Sequence, residues 1–335
     1  MKTLGKLLGF MVLLLAVGAP AAALDANASP SANGDAEKIA KRIELTTDGL
    51  AGVVGFAATI PGADTVISLN SDEPFPMAST FKVAIAVAIL TRVDKGELHL
   101  DHLVDITPDM YVMGDNVLAQ NFVHPGLKLS VANLIEVMIT ESDNTATDIL
   151  IKLAGGPAAV SKTLGDIGIN AQRIDRNTAE IIRDFAKMPD PATATVVAEA
   201  VKVDPSLTSR LDDRNLDFEK DPRDQSTPKA MLDLLLAIDN GTALSAKSRD
   251  FLIGSMSRTR TGKDRLKGML PEGTPVAHKT GTIGGIANDV GYITFRDGRR
   301  MMIAVFTKSS TTPAADQDRA IAEAARTLYD YYAGR

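Results

Sequence analysis

Segments with the residue pattern of β-strands lie near both ends of this 335-residue chain, and a long helical region separates them. In these segments apolar and polar residues alternate, or β-branched residues dominate, as in half-buried and fully buried strands. The segments are 52–60, 65–69, 274–279, 286–295 and 301–307. Because strands satisfy their backbone hydrogen bonds by pairing, the two ends of the chain are predicted to meet in one antiparallel sheet.

The middle of the chain is predicted to be helical. Segment 81–93 is apolar on every side, which is typical of a helix buried in the centre of a domain. Further helices are predicted at 36–46, 131–140, 144–153, 191–202, 228–238 and 315–332. We expect a mixed α/β (α+β) fold, in which residues 35–75 and 272–335 form a five-stranded antiparallel sheet flanked by the terminal helices. Residues 76–271 would form a separate all-helical lobe.

Residues 1–23 have the pattern of a secretion signal. Lys2 and Lys6 give a positive start, an apolar stretch follows, and Ala21 to Ala23 offer a cleavage site with small side chains. The apolar stretch is too short to be a good membrane span. We therefore expect a periplasmic or secreted protein that keeps no stable membrane anchor after cleavage.

Composition excludes several classes of function. The formal net charge is −6 and there is no basic tract, so binding to nucleic acid is not expected. There is no cysteine, and the pair His99 and His102 lacks a third histidine or cysteine ligand, so neither a disulfide nor a metal site is predicted. We expect no cofactor, a small-molecule or cell-wall substrate, and a monomer.

The first candidate catalytic motif is Ser79-Thr80-Phe81-Lys82, at the start of the buried helix. Positions three residues apart share one face of a helix, so Lys82 can lie beside Ser79. A partly desolvated lysine loses its proton more readily and can activate a serine hydroxyl as a nucleophile. A second copy, Ser226-Thr227-Pro228-Lys229, is instead predicted to start a helix and to leave its lysine exposed.

The second motif is Ser142-Asp143-Asn144, which is predicted to lie in a short turn between two helices. The Ser142 hydroxyl could pass a proton to a leaving nitrogen, and Asn144 could hydrogen-bond Lys82 or a substrate amide. The alternative is helix capping, because all three residue types favour helix starts.

The third motif is Lys279-Thr280-Gly281-Thr282, on a predicted strand. Lys279 and Thr280 can bind a carboxylate, and Gly281 leaves room for a substrate along the strand edge. An ordinary edge-strand lysine beside a glycine is the alternative. The occurrence of all three motifs in this order, each on a suitable element, favours a serine acyl-transfer site.

With these motifs the chain resembles class A serine β-lactamases, of the penicillin-recognising enzyme superfamily, over nearly all of its mature length. The resemblance implies a β-lactamase/transpeptidase-like fold and a small-molecule β-lactam substrate. It also implies that Ser79 is acylated, that Lys82 is its base or relay and that Ser142 shuttles a proton. Asn144 would contact both the substrate and Lys82.

The resemblance further implies which groups bind the substrate. Lys279 and Thr280 would bind its carboxylate, and the backbone N–H groups of Ser79 and Thr282 would form the oxyanion hole. Arg265 matches an arginine that assists carboxylate binding in some members, although an exposed helix arginine is an equal alternative.

One departure from the family pattern concerns deacylation. Family members carry a loop Arg-Leu-Asp-Arg-x-Glu-x-x-Leu-Asn, whose Glu activates the hydrolytic water. Here residues 173–182 match this loop with Thr178 at the Glu position and Ile182 at the Asn position, and the stretch to Asp224 is longer than the pattern leads us to expect. Thr cannot act as a base near neutral pH. Candidate replacements, each with a solvated loop carboxylate as the alternative, are Glu180, Asp217 and Glu219.

Three functions therefore stay open. The first is a β-lactam hydrolase that confers antibiotic resistance. The second is a periplasmic D,D-peptidase-like penicillin-binding protein, which the missing Glu favours. The third is a weakly catalytic protein that traps or senses β-lactams.

Overall fold

The computed structural model describes residues 30–335 except residues 64, 115, 116 and 192. The predicted secretion signal, residues 1–23, lies outside the described residues and stays a prediction. Among the described helices, none combines the length and the apolar character that a membrane-spanning segment needs.

Five strands form one antiparallel sheet, which confirms the predicted pairing of the two chain ends. The described strands are β1 (Val53–Thr59), β2 (Ile67–Leu69), β3 (Phe75–Pro76), β4 (Leu103–Ile106), β5 (Leu127–Ser130), β6 (Gln225–Ser226), β7 (Val276–Ile283), β8 (Ile286–Thr294) and β9 (Arg300–Lys308). The order in the sheet is β2-β1-β9-β8-β7, and Phe56 of β1 lies opposite Val305 of β9. Strand β7, which carries the third motif, is therefore an edge strand.

The helices follow the predicted pattern and add several short ones. In the described residues they are α1 (Pro30–Thr47), α2 (Lys82–Asp94), α3 (Val117–Asn121), α4 (Val131–Thr140), α5 (Asn144–Ala154), α6 (Pro157–Asp166), α7 (Thr178–Ala186), α8 (Ala194–Val203), α9 (Ser206–Ser209), α10 (Leu216–Lys220), α11 (Pro228–Asp239), α12 (Ala246–Ser257) and α13 (Ala314–Ala333). The first nine residues of α2 are all buried, as its uniformly apolar sequence predicts. The second motif lies between α4 and α5, also as predicted.

The sheet separates two hydrophobic cores because successive side chains of a strand point to opposite faces. On one face, Phe56 and Val305 pack with Ile43 of α1 and Leu328 of α13. On the other face, the core that includes Ala57 extends into the helical region around α2. Burying one such large side chain stabilises the fold by about 1.5–3 kcal/mol.

The helical region is not purely helical. Strands β3 and β6 form one two-stranded ribbon, and β4 and β5 form another. All five strands of the main sheet fall inside residues 35–75 and 272–335, while the exact domain boundaries stay a prediction.

Residues 173–224, called here the 173–224 loop, form an excursion from the helical region. The two ends of this loop lie next to each other. There the buried Arg176 donates through Nε to Oδ2 of Asp224 at 2.6 Å. Helices α7 to α10 lie within the loop, and α8 confirms the helix predicted at 191–202. The loop also reaches the β7–β8 turn, where the Gly284 N–H donates to the Leu211 carbonyl at 2.9 Å. The longer sequence of this loop therefore forms a wall beside strand β7.

Candidate active site

Ser79 lies in a single 3₁₀ turn, Ala78–Phe81, that continues directly into α2. Its backbone is held from the sheet side, because Nδ2 of Asn288 on β8 donates to the carbonyls of Pro76 and Met77 at 2.9 and 3.0 Å. Sequence reasoning assigned no role to Asn288. This contact fixes the entry to the helix and with it the position of Ser79.

Lys82 joins the first motif to the second. Its side chain is fully buried, and Nζ donates to the Ser142 carbonyl at 2.6 Å and to Oδ1 of Asn144 at 2.8 Å. The same amine lies 3.1 Å from the Ser142 hydroxyl. Ser142 has a φ of 60°, which turns both its carbonyl and its hydroxyl toward Lys82.

Lys279 brings the third motif to the same hydroxyl. Its fully buried Nζ donates to Oγ of Ser142 at 3.0 Å and to the Thr280 carbonyl at 2.9 Å. Burial and the nearby charge of Lys82 hold the pKa of Lys279 well below its usual value. The Ser142 hydroxyl therefore lies between two buried amines and can accept from one while it donates to the other.

Asp143 of the second motif caps a helix, as the alternative interpretation of that motif predicted. Its carboxylate accepts the backbone N–H of Ala146 at 2.8 Å at the start of α5, and that of Leu118 at 2.9 Å. Burial raises the pKa of Asp143. The helix-cap interpretation and the catalytic interpretation of this motif are therefore compatible. The Asp143 cap holds the turn in which Ser142 and Asn144 face Lys82.

Gly281 allows β7 to approach the Ser79 turn closely. A methyl group at this position would lie 2.6 Å from the Met77 carbonyl oxygen and 3.1 Å from the backbone nitrogen of Ser79. Sequence reasoning expected the free space at Gly281 to accommodate substrate, and the structure fills it with the backbone of residues 77–80. A side chain at position 281 would force the two elements apart.

Arg265 is buried, so the alternative of an exposed helix arginine is wrong. Its guanidinium donates to Oγ1 of Thr282 at 2.8 Å and to the Gly281 carbonyl at 2.9 Å. Its Nε donates to Oδ1 of Asp318 at 2.7 Å, which compensates the charge. Arg265 thereby orients the Thr282 hydroxyl on the strand that carries Lys279.

The second Ser-x-x-Lys copy starts a helix, as predicted. The Thr227 hydroxyl accepts the Ala230 N–H at 3.0 Å and caps α11. Lys229 is exposed and pairs with Asp233 one turn later. Nothing about this copy resembles the burial of Lys82.

A cleft of about 810 Å³ lies in front of the three motifs. Ser79, Ser142 and Asn144 line its floor, together with Thr282 and Arg265 at the β7 side. The opposite wall comes from residues 208 and 211–214 of the 173–224 loop. The cleft is thus bounded by the catalytic candidates on one side and by the extended loop on the other.

None of the three predicted base candidates borders this cleft. Glu180 accepts the Asn177 N–H at 2.8 Å in a capping box at the start of α7. Glu219 accepts the Ser309 N–H at 3.1 Å and also the Ser309 hydroxyl. Asp217 borders a different cavity, next to Phe185. In this structure Glu180 and Glu219 hold loops in place.

Thr178, at the family's Glu position, is buried at the first residue of α7. Its backbone N–H donates to Oδ1 of Asp148 at 2.6 Å, and the N–H of Ala179 donates to Oδ2 at 3.1 Å. Sequence reasoning missed Asp148. The available signal was its spacing, since it follows Asn144 by four residues on a helix that was predicted.

A buried hydrogen-bonded pair, His278 and Asp289, next to Lys279 was also missed. Nδ1 of His278 lies 2.8 Å from Oδ1 of Asp289, and both side chains are fully buried. The negative charge of Asp289 acts on Lys279 and opposes the lowering of its pKa. Strand β8 thus adjusts the electrostatics of the cation on β7.

Comparison with known proteins agrees with the fold and the motifs. Residues 36–332 match the family model described as the beta-lactamase enzyme family. The chain belongs to this family. β-Lactamase VEB-1 of Pseudomonas aeruginosa is 31% identical over 309 residues, which cover 90% of this chain and 92% of VEB-1.

Two further β-lactamases extend the comparison. The extended-spectrum β-lactamase PER-1 of Pseudomonas aeruginosa is 30% identical, with 87% of this chain and 86% of PER-1 covered. The solved structure of an ancestral class A β-lactamase has a TM-score of 0.72 and 30% identity, over 88% of this chain and 99% of that one. The predicted β-lactamase/transpeptidase-like fold is therefore confirmed.

Proposed function

We propose that this β-lactamase-family protein hydrolyses β-lactams through an acyl ester on Ser79 and so confers resistance to these antibiotics. The observation that carries the proposal is the Ser142 hydroxyl, which lies 3.1 Å from Lys82 and 3.0 Å from Lys279. Such an arrangement can remove a proton from Ser79 and deliver a proton to a leaving nitrogen within one connected set of groups.

Acylation begins with proton transfer from Ser79 to the uncharged amine of Lys82, three residues later. Oγ of Ser79 attacks the β-lactam carbonyl carbon, and the bond between that carbon and the ring nitrogen breaks. The ring nitrogen takes a proton from Ser142, which is resupplied from Lys82. The step consumes no external proton and leaves an ester on Ser79.

The backbone N–H groups of Ser79 and Thr282 are proposed to bind the oxygen that becomes negative during this step. The close approach of β7 to the Ser79 turn supports this, because it is possible only without a side chain at Gly281. An oxyanion-hole donor of this kind typically contributes about 2.7–4 kcal/mol of barrier lowering.

The substrate carboxylate is proposed to bind at Lys279 and the hydroxyls of Thr280 and Thr282. Arg265 supports this role through its 2.8 Å hydrogen bond to Oγ1 of Thr282, which leaves the Thr282 proton free to point at an anion. A carboxylate arriving beside Lys279 would also offset the burial of that cation.

Further parts of the proposal concern the whole protein. Residues 1–23 would direct export to the periplasm or the medium, where β-lactams reach the cell wall. The protein would act as a monomer on a small molecule, without a cofactor.

The test combines a chromogenic cephalosporin with intact-mass measurement. The wild type should open the β-lactam ring and, when quenched early, carry one acyl adduct on Ser79. Ser79→Ala should give neither, whereas Ser226→Ala, in the second Ser-x-x-Lys copy, should keep both. A wild type that shows neither colour nor adduct would refute the acyl-serine proposal.

One observation favours a second candidate function. With Thr178 at the family's Glu position, a protein lacking another base would hold its acyl group and behave as a β-lactam trap or a D,D-peptidase-like penicillin-binding protein. A stoichiometric burst followed by an adduct that lasts for hours would support this candidate over hydrolysis.

A further inference from the structure

Helix α8 binds a short segment of chain that leads to the cleft, residues 111–114, called here the 111–114 segment. The N–H of Ala194, the first residue of α8, donates to the Tyr111 carbonyl at 2.7 Å. Thr193, the N-cap of α8, forms an isolated antiparallel bridge with Val112. Main-chain contacts therefore attach α8 to this segment.

One peptide group of the segment is held between two helices. The carbonyl of the peptide that joins Tyr111 to Val112 accepts from Ala194, and the N–H of the same peptide donates to Oγ1 of Thr145 at 3.0 Å. Thr145 is the second residue of α5 and is fully buried. Because the C=O and N–H of a trans peptide group point in opposite directions, this planar unit is fixed between α8 and α5.

The 111–114 segment in turn holds the side chain of Asn144. Nδ2 of Asn144 donates to the Met113 carbonyl at 3.1 Å, and Oδ1 accepts from Lys82 at 2.8 Å. A methyl group at Gly114 would lie 2.8 Å from Nδ2, so the backbone of the segment closely approaches the amide. Asn144 and Gly114 both border the cleft. The orientation of the Asn144 amide therefore depends on where the segment lies.

We infer that Tyr111 and Ala194 are positioning residues, through which α8 holds the Asn144 amide in the orientation that a substrate meets. Their contact fixes the 111–114 segment, and the segment fixes the amide. The ligand chemistry concerned is the side-chain amide of a penicillin or cephalosporin, which can hydrogen-bond an Asn side chain. This assignment rests on the proposed function, since it requires that a β-lactam acylates Ser79.

Helix α8 lies in the stretch by which the 173–224 loop exceeds the family pattern. The loop reaches the cleft at two places. At the β7–β8 turn, its Leu211 carbonyl accepts the Gly284 N–H, and at the 111–114 segment its Ala194 N–H donates. The added length of the loop thus supports a cleft residue of α5 as well as forming a wall beside β7.

The decisive variant is Ala194→Pro. Proline is favoured at the first residue of a helix, and Thr193 already has the extended backbone that precedes a proline, with φ −76° and ψ 156°. The substitution therefore keeps α8, removes the N–H that binds Tyr111 and places a ring carbon in the path of that hydrogen bond. The matched control is Ala246→Pro, at the first residue of α12 after the extended N-cap Ser245. Among the described residues, the Ala246 N–H has no acceptor.

The measured quantity is the second-order rate constant for acylation of Ser79, from stopped-flow and intact mass, with two substrates. Benzylpenicillin carries a side-chain amide, whereas aminopenicillanic acid has the same ring system and carboxylate with an amine in place of that amide. Ala194→Pro should slow acylation by benzylpenicillin about 3- to 10-fold more than acylation by aminopenicillanic acid, as expected for the loss of one hydrogen bond. Ala246→Pro should leave the ratio of the two rate constants unchanged.

A purely structural role for this contact would lower the melting temperature and slow both substrates equally. A double-mutant cycle with Asn144→Ala separates the two roles. Asn144→Ala should itself lower the ratio of the rate constants, and adding Ala194→Pro should not lower it further, because both changes act through the same amide.

Gly114→Ala provides a second approach that leaves α8 untouched. Its methyl group must push against Nδ2 of Asn144, so this variant should also lower the ratio of the two rate constants. The inference can therefore be tested even if Ala194→Pro does not fold.

Three outcomes would overturn the inference. They are equal or absent slowing of the two substrates in Ala194→Pro, a further fall of the ratio when Ala194→Pro is added to Asn144→Ala, and an unchanged ratio in Gly114→Ala. Each of these requires acylation of Ser79 in the wild type, so the proposed function would survive. A wild type that neither substrate acylates would refute the proposed function itself.

Discussion

Two buried cations in this molecule have opposite kinds of partners: Lys279 lies on β7 beneath the Ser142 hydroxyl of the cleft floor, and Arg176 lies at the base of the 173–224 loop. Lys279 donates to a hydroxyl and a carbonyl oxygen. Arg176 donates to the carboxylates of Asp224 at 2.6 Å and Asp184 at 2.9 Å. Both side chains are almost completely excluded from solvent.

The difference indicates what each cation is for. A buried charge that is bound only by neutral oxygens keeps much of its desolvation cost, so the fold gains little from Lys279 in the absence of an anion. Arg176 is compensated within the chain and holds the two ends of the loop together. The floor is therefore prepared for an anionic ligand, whereas the loop is an assembled structural element.

The largest expected effect comes from removing the proposed base for acylation with Lys82→Met. Because Lys82 is proposed to take the Ser79 proton, kcat/KM should fall by about 10²–10⁴-fold. The free energy of unfolding should change by less than about 2 kcal/mol, because relief from burying a polar amine offsets the acceptors left unbonded. Urea unfolding and steady-state kinetics measure the two quantities, and Lys229→Met in the second motif copy is the control. If Lys82→Met lost several kcal/mol of unfolding free energy along with its activity, Lys82 would be a structural residue, and the contrast between the floor and the loop would be wrong.

Arg176→Met should do the opposite, with a large loss of stability and a small effect on acylation. It leaves the buried carboxylate of Asp224 without its cation, which typically costs about 3–5 kcal/mol of unfolding free energy. The surviving folded fraction should still acylate Ser79, since the floor residues are untouched. The control is Lys162→Met, which removes an exposed pair with Asp166 and should cost less than about 1 kcal/mol. A marginal stability loss in Arg176→Met would show that the loop does not depend on this pair.

Lys279→Met should act mainly on substrate binding. Losing a charge-assisted hydrogen bond of about 1.5–3 kcal/mol raises KM by roughly 10- to 100-fold. The pH dependence has a defined sign. Because the pKa of Lys279 is lowered in the free protein and a bound carboxylate raises it, binding takes up a proton, and the wild-type KM should rise with pH. Lys279→Met should lose that rise, and a wild-type KM that falls with increasing pH would contradict the assignment.

The elements of the fold were largely predictable because their patterns are local. Segment 131–140 is apolar on a helical face and forms α4 with the predicted bounds. Helix α12 (Ala246–Ser257) was not predicted, because charged and hydroxyl residues interrupt its apolar positions and its burial depends on neighbouring elements.

The site was predictable only in part for the same reason. Lys82, Ser142 and Lys279 lie in motifs whose order in the chain is informative. Glu180 was selected as a base by its distance along the chain from Thr178, but its carboxylate closes a capping box. Asp148 was missed because its four-residue spacing from Asn144 predicts only a shared helix face, whereas its contact with Thr178 joins residues that are 30 positions apart in the chain.

The smallest expected effect tests how closely the 173–224 loop fits against the floor. A methyl group at Gly284 would lie 2.1 Å from the Asp213 carbonyl oxygen, so Gly284→Ala must push that part of the loop away from β7. Overpacking of this kind costs about 1–3 kcal/mol of unfolding free energy. The Ser79 acylation rate for a small penicillin should stay within about threefold, because the three motifs are not displaced.

The matched control is Gly49→Ala, where no atom lies within 4 Å of the added methyl group, and its stability should be unchanged or slightly raised. A crystal structure of Gly284→Ala should show residues 211–214 displaced and the cleft widened, with KM changed more for a bulky cephalosporin than for a small penicillin. If the variant instead lost acylation as severely as Lys82→Met, the loop and the floor would be one cooperative unit. The contrast between a ligand-ready floor and a separately assembled loop would then fail.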